Sequence, residues 1–110
     1  MGSILTILIP LFVNMIEGCI NRKPTPADVK QAALDQWDET TGTFNQQFVE
    51  ERRRQSKLAF KQAHRHDHSV PRHPTDEQLD AATVEALTQA KDGDDATLTA
   101  AIAMSHGEDA

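Results

Sequence analysis

Apolar and polar positions follow different patterns in the two parts of this chain. Residues 4–16 form an apolar run of thirteen positions that is interrupted by Thr6, Pro10 and Asn14. Beyond this run, apolar side chains recur three or four residues apart among polar and charged ones, as they do in amphipathic helices. No stretch alternates residue by residue as a half-buried strand does. The pattern predicts an all-α fold, with about four short helices, a Pro/His-rich loop and an N-terminal apolar segment.

The first predicted helix covers residues 26–39. Thr25 can cap it, Pro26 suits the first helical position, and Asp28 lies at the positive end of the helix dipole. Its apolar stripe consists of Val29, Ala32, Ala33 and Trp37. Gly42 is expected to end the segment, and Trp37 is expected to anchor the core.

The second predicted helix starts after Thr43 or Asn45 and runs to about residue 64. Its middle is charged on all sides, which predicts a solvated helix or one that is covered by another chain. Pro71 and Pro74 then exclude regular helix, so residues 64–74 are expected to form a loop.

Two further helices are predicted after this loop. Thr75 and Gln78 have the spacing of a capping box, and the helix that they begin should end at Gly93. A shorter helix over residues 96–105 follows. Because each boundary rests on a cap or a turn residue, these are local predictions that do not depend on packing.

Residues 1–20 are interpreted as a signal peptide or membrane anchor, and residues 21–110 as a small helical domain that is incomplete as an independent fold. Thirteen residues are too few to cross about 30 Å of hydrocarbon, which takes about 20. Their length suits a secretory signal that is cut before Cys19. The first six residues also fit the N-myristoylation pattern, with Cys19 as a second acylation point. A plain buried segment is the third interpretation.

Charge is segregated along the chain, whose net charge is −6. Residues 51–73 carry seven Lys and Arg against two acids, whereas residues 74–110 carry one Lys against nine acids. The basic middle can therefore pair with the acidic tail within one molecule or dimer. Phe60 is the only aromatic residue near the basic run, so the stacking platform of a single-strand nucleic-acid binder is missing. We expect no nucleic-acid partner.

Four of the five histidines lie in the segment from His64 to Pro74. His64, His66, His68 and His73 suggest a metal site, because imidazoles at alternating positions of an extended segment can converge on a transition metal, with Asp67 as an oxygen ligand. The competing interpretation is a solvated loop, because all of these ligands would come from one flexible segment. The single cysteine, Cys19, excludes an intramolecular disulfide.

The stretch His66-Asp67-His68-Ser69-Val70-Pro71-Arg72 resembles the Glu-His-Asp-x-Ser-x-x-Arg segment of the haem-thiolate peroxidases, the chloroperoxidase and peroxygenase family. A helix, an Asp-Gly turn and a short helix follow in both, so the likeness extends over residues 64–103. The resemblance implies an all-helical secreted enzyme that uses peroxide and haem.

The resemblance also assigns roles to single residues. Cys19 would supply the thiolate that binds haem iron, although it lacks the flanking prolines of the family motif. Ser69 and the carbonyl of His66 would hold a magnesium or other divalent cation together with Asp67. Arg65 occupies the position of the family's glutamate ligand. Arg72 would fix the loop by pairing with an acid.

Two functions are therefore expected from the sequence. The first is a truncated or diverged haem-thiolate peroxidase-like protein on the secretory route or outside the cell, completed by a second copy or a partner chain. The alternative is a small membrane-tethered helical interaction protein without catalysis, which would bind a partner chain and associate with the membrane through residues 1–20. Haem binding distinguishes these two functions.

Overall fold

The computed structural model describes residues 2–106, with side chains from Ile4 onward. Its helices are α1 (Gly2–Ile20), α2 (Pro26–Leu34), α3 (Gln46–His66), α4 (Asp76–Asp92) and α5 (Asp95–Ser105). A small antiparallel hairpin joins β1 (Trp37–Asp38) to β2 (Thr43–Phe44). The all-α prediction is confirmed in its broad form. The number of helices is five in the described residues, not four, because the N-terminal apolar segment is itself a helix.

Helix α1 forms the centre of the core. It packs against α3, α4 and α5, and more lightly against α2. Its buried apolar side chains are Ile4, Leu8, Ile9, Phe12, Val13 and Ile16. Among the described helices, none is long and apolar enough to cross a membrane. Cleavage, acylation and secretion of this segment stay predictions.

Helix α2 begins as the sequence predicts but ends five residues early. The Asp28 backbone N–H donates to the Thr25 hydroxyl at 3.3 Å, and the Thr25 N–H donates to the Asp28 carboxylate at 2.8 Å. After Leu34 the chain turns into the hairpin, in which Trp37 pairs with Phe44 and their rings meet edge to face at 4.9 Å. The expectation that no strand forms was wrong, because an aromatic cross-strand pair outweighs the helical spacing of Trp37.

The hairpin turn depends on Gly42, whose φ of +67° lies in the left-handed region. Trp37 is half-buried, packs against the core cluster and lies under the Lys91 ammonium at 4.3 Å. Trp37 therefore packs against the core, as predicted, but it does so at the edge of the core. The hairpin closes one end of the molecule between α2 and α3.

Helices α3 and α4 are joined at their interface by an ion pair between Arg53 and Asp80. Thr75 and Gln78 form the predicted capping box of α4, and Gly93 ends that helix. The carboxylate of Asp94 then caps α5, with Thr97 N–H donating to it at 2.8 Å. The predicted capping box and the predicted end of α4 are thus confirmed, and α5 begins one residue before the predicted position.

Candidate functional site

The histidine segment is divided between the end of α3 and the loop that follows. α3 continues through His66, and the backbone N–H of Asp67 donates to the Ala63 carbonyl at 2.8 Å. The helix is two residues longer than predicted, since no proline occurs before Pro71. We call residues 67–75, between α3 and α4, the connecting loop.

His64 fastens the connecting loop to α3. Its Nδ1 lies 2.7 Å from the carbonyl oxygen of Val70. Because a carbonyl only accepts, Nδ1 of His64 is the donor in this bond, which leaves Nε2 to face His68. The Nδ1 of His68 lies 3.4 Å from that Nε2, and the two rings meet edge to face at 4.8 Å. Both ring nitrogens of His64 therefore make contacts with residues of the connecting loop.

Asp67 and Ser69, two of the residues assigned to a cation, form a closed turn with each other. The Ser69 hydroxyl donates to Asp67 Oδ1 at 2.6 Å, and its backbone N–H donates to the same oxygen at 3.0 Å. These two bonds, the hydroxyl first, hold the pKa of Asp67 below its usual range. The Val70 N–H donates to the Asp67 carbonyl at 3.0 Å and closes the turn from the other side. The carboxylate is thus kept ionised and fixed in direction.

The third assigned ligand, His66, is exposed in the last turn of α3. Across residues 4–106, no three His, Cys, Asp or Glu side chains are grouped as metal ligands. Asp67 is the only carboxylate of the predicted set, whereas cation sites of this kind combine several oxygen or imidazole ligands. The described residues therefore assemble no transition-metal site. Binding of a divalent cation by Asp67, Ser69 and the His66 carbonyl stays a prediction.

Cys19, the predicted thiolate ligand of haem, is exposed at the far end of α1. Ile4, near the beginning of the same helix, lies against the connecting loop. A rise of about 1.5 Å per residue separates these two positions by about 22 Å along the helix axis. The chain therefore does not bring its own cysteine to the loop that carries the family resemblance.

The connecting loop, α3 and α4 border a groove of about 820 Å³. Its apolar lining comes from Ile4, Phe60, Val70, Pro71, Ala81 and Ala82. Its polar lining comes from Asp67, Ser69, Thr75, Glu77, Gln78 and Glu85. Three of these are carboxylates, and no Lys or Arg lines the groove in the described part of the chain. We call it the acidic groove, since all of its charged lining residues are carboxylates.

Arg72 lies outside the acidic groove. It is exposed, and no acidic side chain of residues 4–106 forms an ion pair with it. It lines a separate pocket together with Lys57, Lys61 and His73. The predicted pairing of Arg72 with an acid is therefore not part of the described structure.

The acidic side of the groove was not among the features predicted from the sequence. Glu77, Ala81 and Glu85 are four residues apart, and this spacing puts them on one side of α4, beside its buried stripe. That spacing was the signal in the sequence from which the acidic side could have been predicted. No signal in the sequence indicates that Phe60 and Ile4 line the groove, because they come together only when α1 and α3 pack near the loop.

The groove provides carboxylates and an apolar floor. No histidine or cysteine is among the described residues that line it, and the Ser69 hydroxyl donates to the Asp67 carboxylate and not to an imidazole. Such a surface favours cationic ligands with apolar groups. No protein-family model matches the chain, and no curated protein or solved structure matches it either.

Proposed function

We propose that this chain is a non-catalytic helical interaction protein that holds a basic amphipathic helix of a partner chain in the acidic groove. The observation that carries the proposal is the apolar floor under three carboxylates that lack cationic partners. Asp67, Glu77 and Glu85 form no ion pair with a Lys, Arg or His of residues 4–106. The charges of Glu77 and Glu85 are therefore available to a ligand, whereas Asp67 is already bound by Ser69 and lies near His68.

The shape of the groove supports a helix as the ligand. Residues of α4 and of the connecting loop line it together with the buried ring of Phe60, which belongs to α3. A helix in such a groove buries apolar side chains that recur every three or four residues. Lys and Arg beside these anchors would reach Glu77 and Glu85, which are two turns apart along α4.

The chain itself contains a surface of the required chemistry. On α3, Arg54, Leu58 and Lys61 lie on one face, with Arg65 one turn further on, and all four are exposed. Leu58 is 57% exposed, the largest value among the exposed large hydrophobic side chains of the described residues. An α3 peptide is therefore a suitable probe, and a second copy of the chain is one partner of this kind.

The test is binding of a labelled peptide with the sequence of residues 46–66, followed by fluorescence anisotropy. We expect saturable binding that weakens about tenfold in the double variant Glu77→Gln/Glu85→Gln, because each of these two exposed charge pairs is worth up to about 1 kcal/mol. Glu39→Gln/Glu50→Gln is the matched control, since it removes two exposed carboxylates elsewhere. Equal weakening in both double variants, or no binding to the wild type, would contradict the proposal.

The haem-thiolate resemblance provides a second candidate function, a peroxidase-like activity. It is favoured by the position of Asp67 and Ser69, because the segment that carries the resemblance lines the largest groove described here. The thiolate would have to come from Cys19 of a second copy. Haem held in this way would favour cleavage of the peroxide O–O bond.

Titration with haemin tests this second candidate. We expect a Soret band of thiolate-ligated haem in the wild type and its loss in Cys19→Ser, while Ser105→Ala serves as a control at a distant hydroxyl. A band that persists in Cys19→Ser excludes thiolate ligation. In that case the interaction function remains the proposal.

A further inference from the structure

A second concave surface lies between α3 and the connecting loop, separate from the acidic groove. It has a volume of about 310 Å³. Its lining residues are Lys57, Lys61, Arg72, His73, Pro74, Asp76 and Leu79. We call it the basic pocket. We propose that the basic pocket binds a phosphate group, as free phosphate or as a phosphomonoester.

The positive charges of the basic pocket come from two elements that converge. Lys57 and Lys61 are one turn apart on the same side of α3. Arg72 and His73 come from the connecting loop, which His64 fastens to α3 through the Val70 carbonyl. The pocket is therefore held in shape by a contact that is not itself part of the ligand site.

The charges of the basic pocket are not neutralised within the described chain. Arg22, Arg53 and Lys91 each form an ion pair with an acid. No such pair is formed by Lys57, Lys61 or Arg72 with any acid of residues 4–106. Asp76 is the one acid among the lining residues, so three permanent cations face a single carboxylate. Like charges around one cavity repel, and an anion between them lowers the energy of the arrangement.

The arrangement suits a phosphate dianion better than a carboxylate. A guanidinium binds two oxygens of a phosphate through parallel N–H donors, and lysine ammonium groups add point charges at other oxygens. A carboxylate has two oxygens and one charge, which would leave half of the excess charge of the pocket uncompensated, whereas a phosphate dianion would compensate all of it. The pocket lies apart from the residues of the acidic groove, so this inference does not rest on the proposed function.

Isothermal titration of the full chain with inorganic phosphate at constant ionic strength tests the inference. We expect saturable binding with a Kd of about 1 mM or tighter, and a loss of about tenfold in affinity in Arg72→Gln and in Lys61→Gln. Arg54→Gln and Arg65→Gln are the matched controls, because they remove cations of α3 that do not line the pocket. Their affinity for phosphate should equal that of the wild type.

Three further titrations identify the source of the phosphate. Glycerol phosphate represents a soluble phosphomonoester, vesicles that contain phosphatidic acid represent a lipid headgroup, and sodium acetate represents a carboxylate. Binding of phosphate and glycerol phosphate without acetate supports the inference. Equal losses in the pocket variants and in the controls would overturn it, as would acetate binding as tight as phosphate binding, since both point to diffuse attraction by the basic surface of α3. Binding to vesicles that weakens in the pocket variants alone would assign the site to a lipid headgroup.

Discussion

Ser56 of α3 and Thr83 of α4 share a hydrogen bond of 2.6 Å between their hydroxyl oxygens inside the helix interface. Thr83 also donates to the carbonyl of Leu79, which lies 2.6 Å away in its own helix. Because Thr83 has one hydroxyl proton, Ser56 is the donor in the bond between the helices. The two residues are 0% and 2% exposed, so water does not replace either partner.

The hydrogen bond between Ser56 and Thr83 predicts that their contributions to the free energy of unfolding are coupled. Thr83→Val should lower the free energy of unfolding by about 1–2 kcal/mol, because the Ser56 hydroxyl then keeps only the more distant Arg52 carbonyl, at 3.4 Å, as an acceptor in a dry interface. Ser56→Ala should cost about 1 kcal/mol, since Thr83 keeps Leu79 as its acceptor. The double variant should lose less than the sum, because both polar partners are then replaced together. Urea unfolding of the four proteins measures the coupling, and strictly additive losses would refute it.

Helix α1 is predicted to be indispensable for folding. Phe12 is 3% exposed, and its ring meets Phe48 edge to face at 6.1 Å. Phe12→Ala should lower the free energy of unfolding by about 3–5 kcal/mol, because it leaves a cavity at the centre of the core. Asn14→Ala, at an exposed position of the same helix, should change it by less than about 0.5 kcal/mol. Urea unfolding followed by circular dichroism provides both values.

The same dependence can be tested by truncation. A chain that starts at Cys19 lacks the six buried side chains of α1, and the remaining helices expose the surface that these side chains covered. We expect this chain to lose cooperative thermal unfolding. A truncated chain that still unfolds cooperatively would show that α1 is dispensable, as removal of a signal peptide requires.

Local signals predicted the helix boundaries of this chain well. Thr25, Thr75 and Gly93 act through hydrogen bonds to residues within four positions, so their roles can be read without knowledge of the packing. The end of α2 could not be predicted in this way. It depends on the pairing of Trp37 with Phe44 across the hairpin, and helical spacing alone gave the wrong boundary.

The role of the N-terminal segment and the shape of the site depend on contacts between distant elements. An apolar run near thirteen residues is typical of a signal and of a buried helix alike, because both require apolar side chains. The acidic groove contains Ile4, Phe60 and Glu85, which the fold alone brings together. The sequence could indicate that the histidine segment was unusual, but not that His64 would fasten a loop.

The hydrogen bonds of Asp28 predict how the stability of the folded chain depends on pH. Its carboxylate accepts from the Arg22 guanidinium at 2.8 and 3.0 Å and from the Thr25 N–H at 2.8 Å, and these bonds, led by that with Arg22, hold the pKa of Asp28 well below its usual range. Because the pKa of Asp28 is lower in the folded state, its ionised carboxylate contributes its full stabilisation at pH values above the pKa of the unfolded chain, about 3.9. This stabilisation is lost as the pH falls from there towards the lower pKa of the folded state.

Asp28→Asn should therefore lower the melting temperature at pH 7, and the difference from the wild type should shrink between pH 4 and pH 2. The exposed position of the pair means that added salt should reduce the effect as well. Glu50→Gln removes an exposed carboxylate on α3 as a control. A difference that stays constant down to pH 2 would show that the stabilisation does not depend on the ionised carboxylate.

Two glycines should respond in opposite directions to the same substitution. Gly93 caps α4 and is buried, and a Cβ there would meet the carbonyl oxygen of Gln89 inside van der Waals contact. Gly93→Ala should therefore lower the free energy of unfolding by about 1–3 kcal/mol, because the backbone has to shift.

Gly18 lies in α1, where a Cβ would meet nothing within 4 Å. Gly18→Ala should raise the free energy of unfolding by about 0.5 kcal/mol, because the alanine restricts the unfolded chain. Urea unfolding measures both changes, and a loss of stability in Gly18→Ala would show that α1 does not remain helical up to this position.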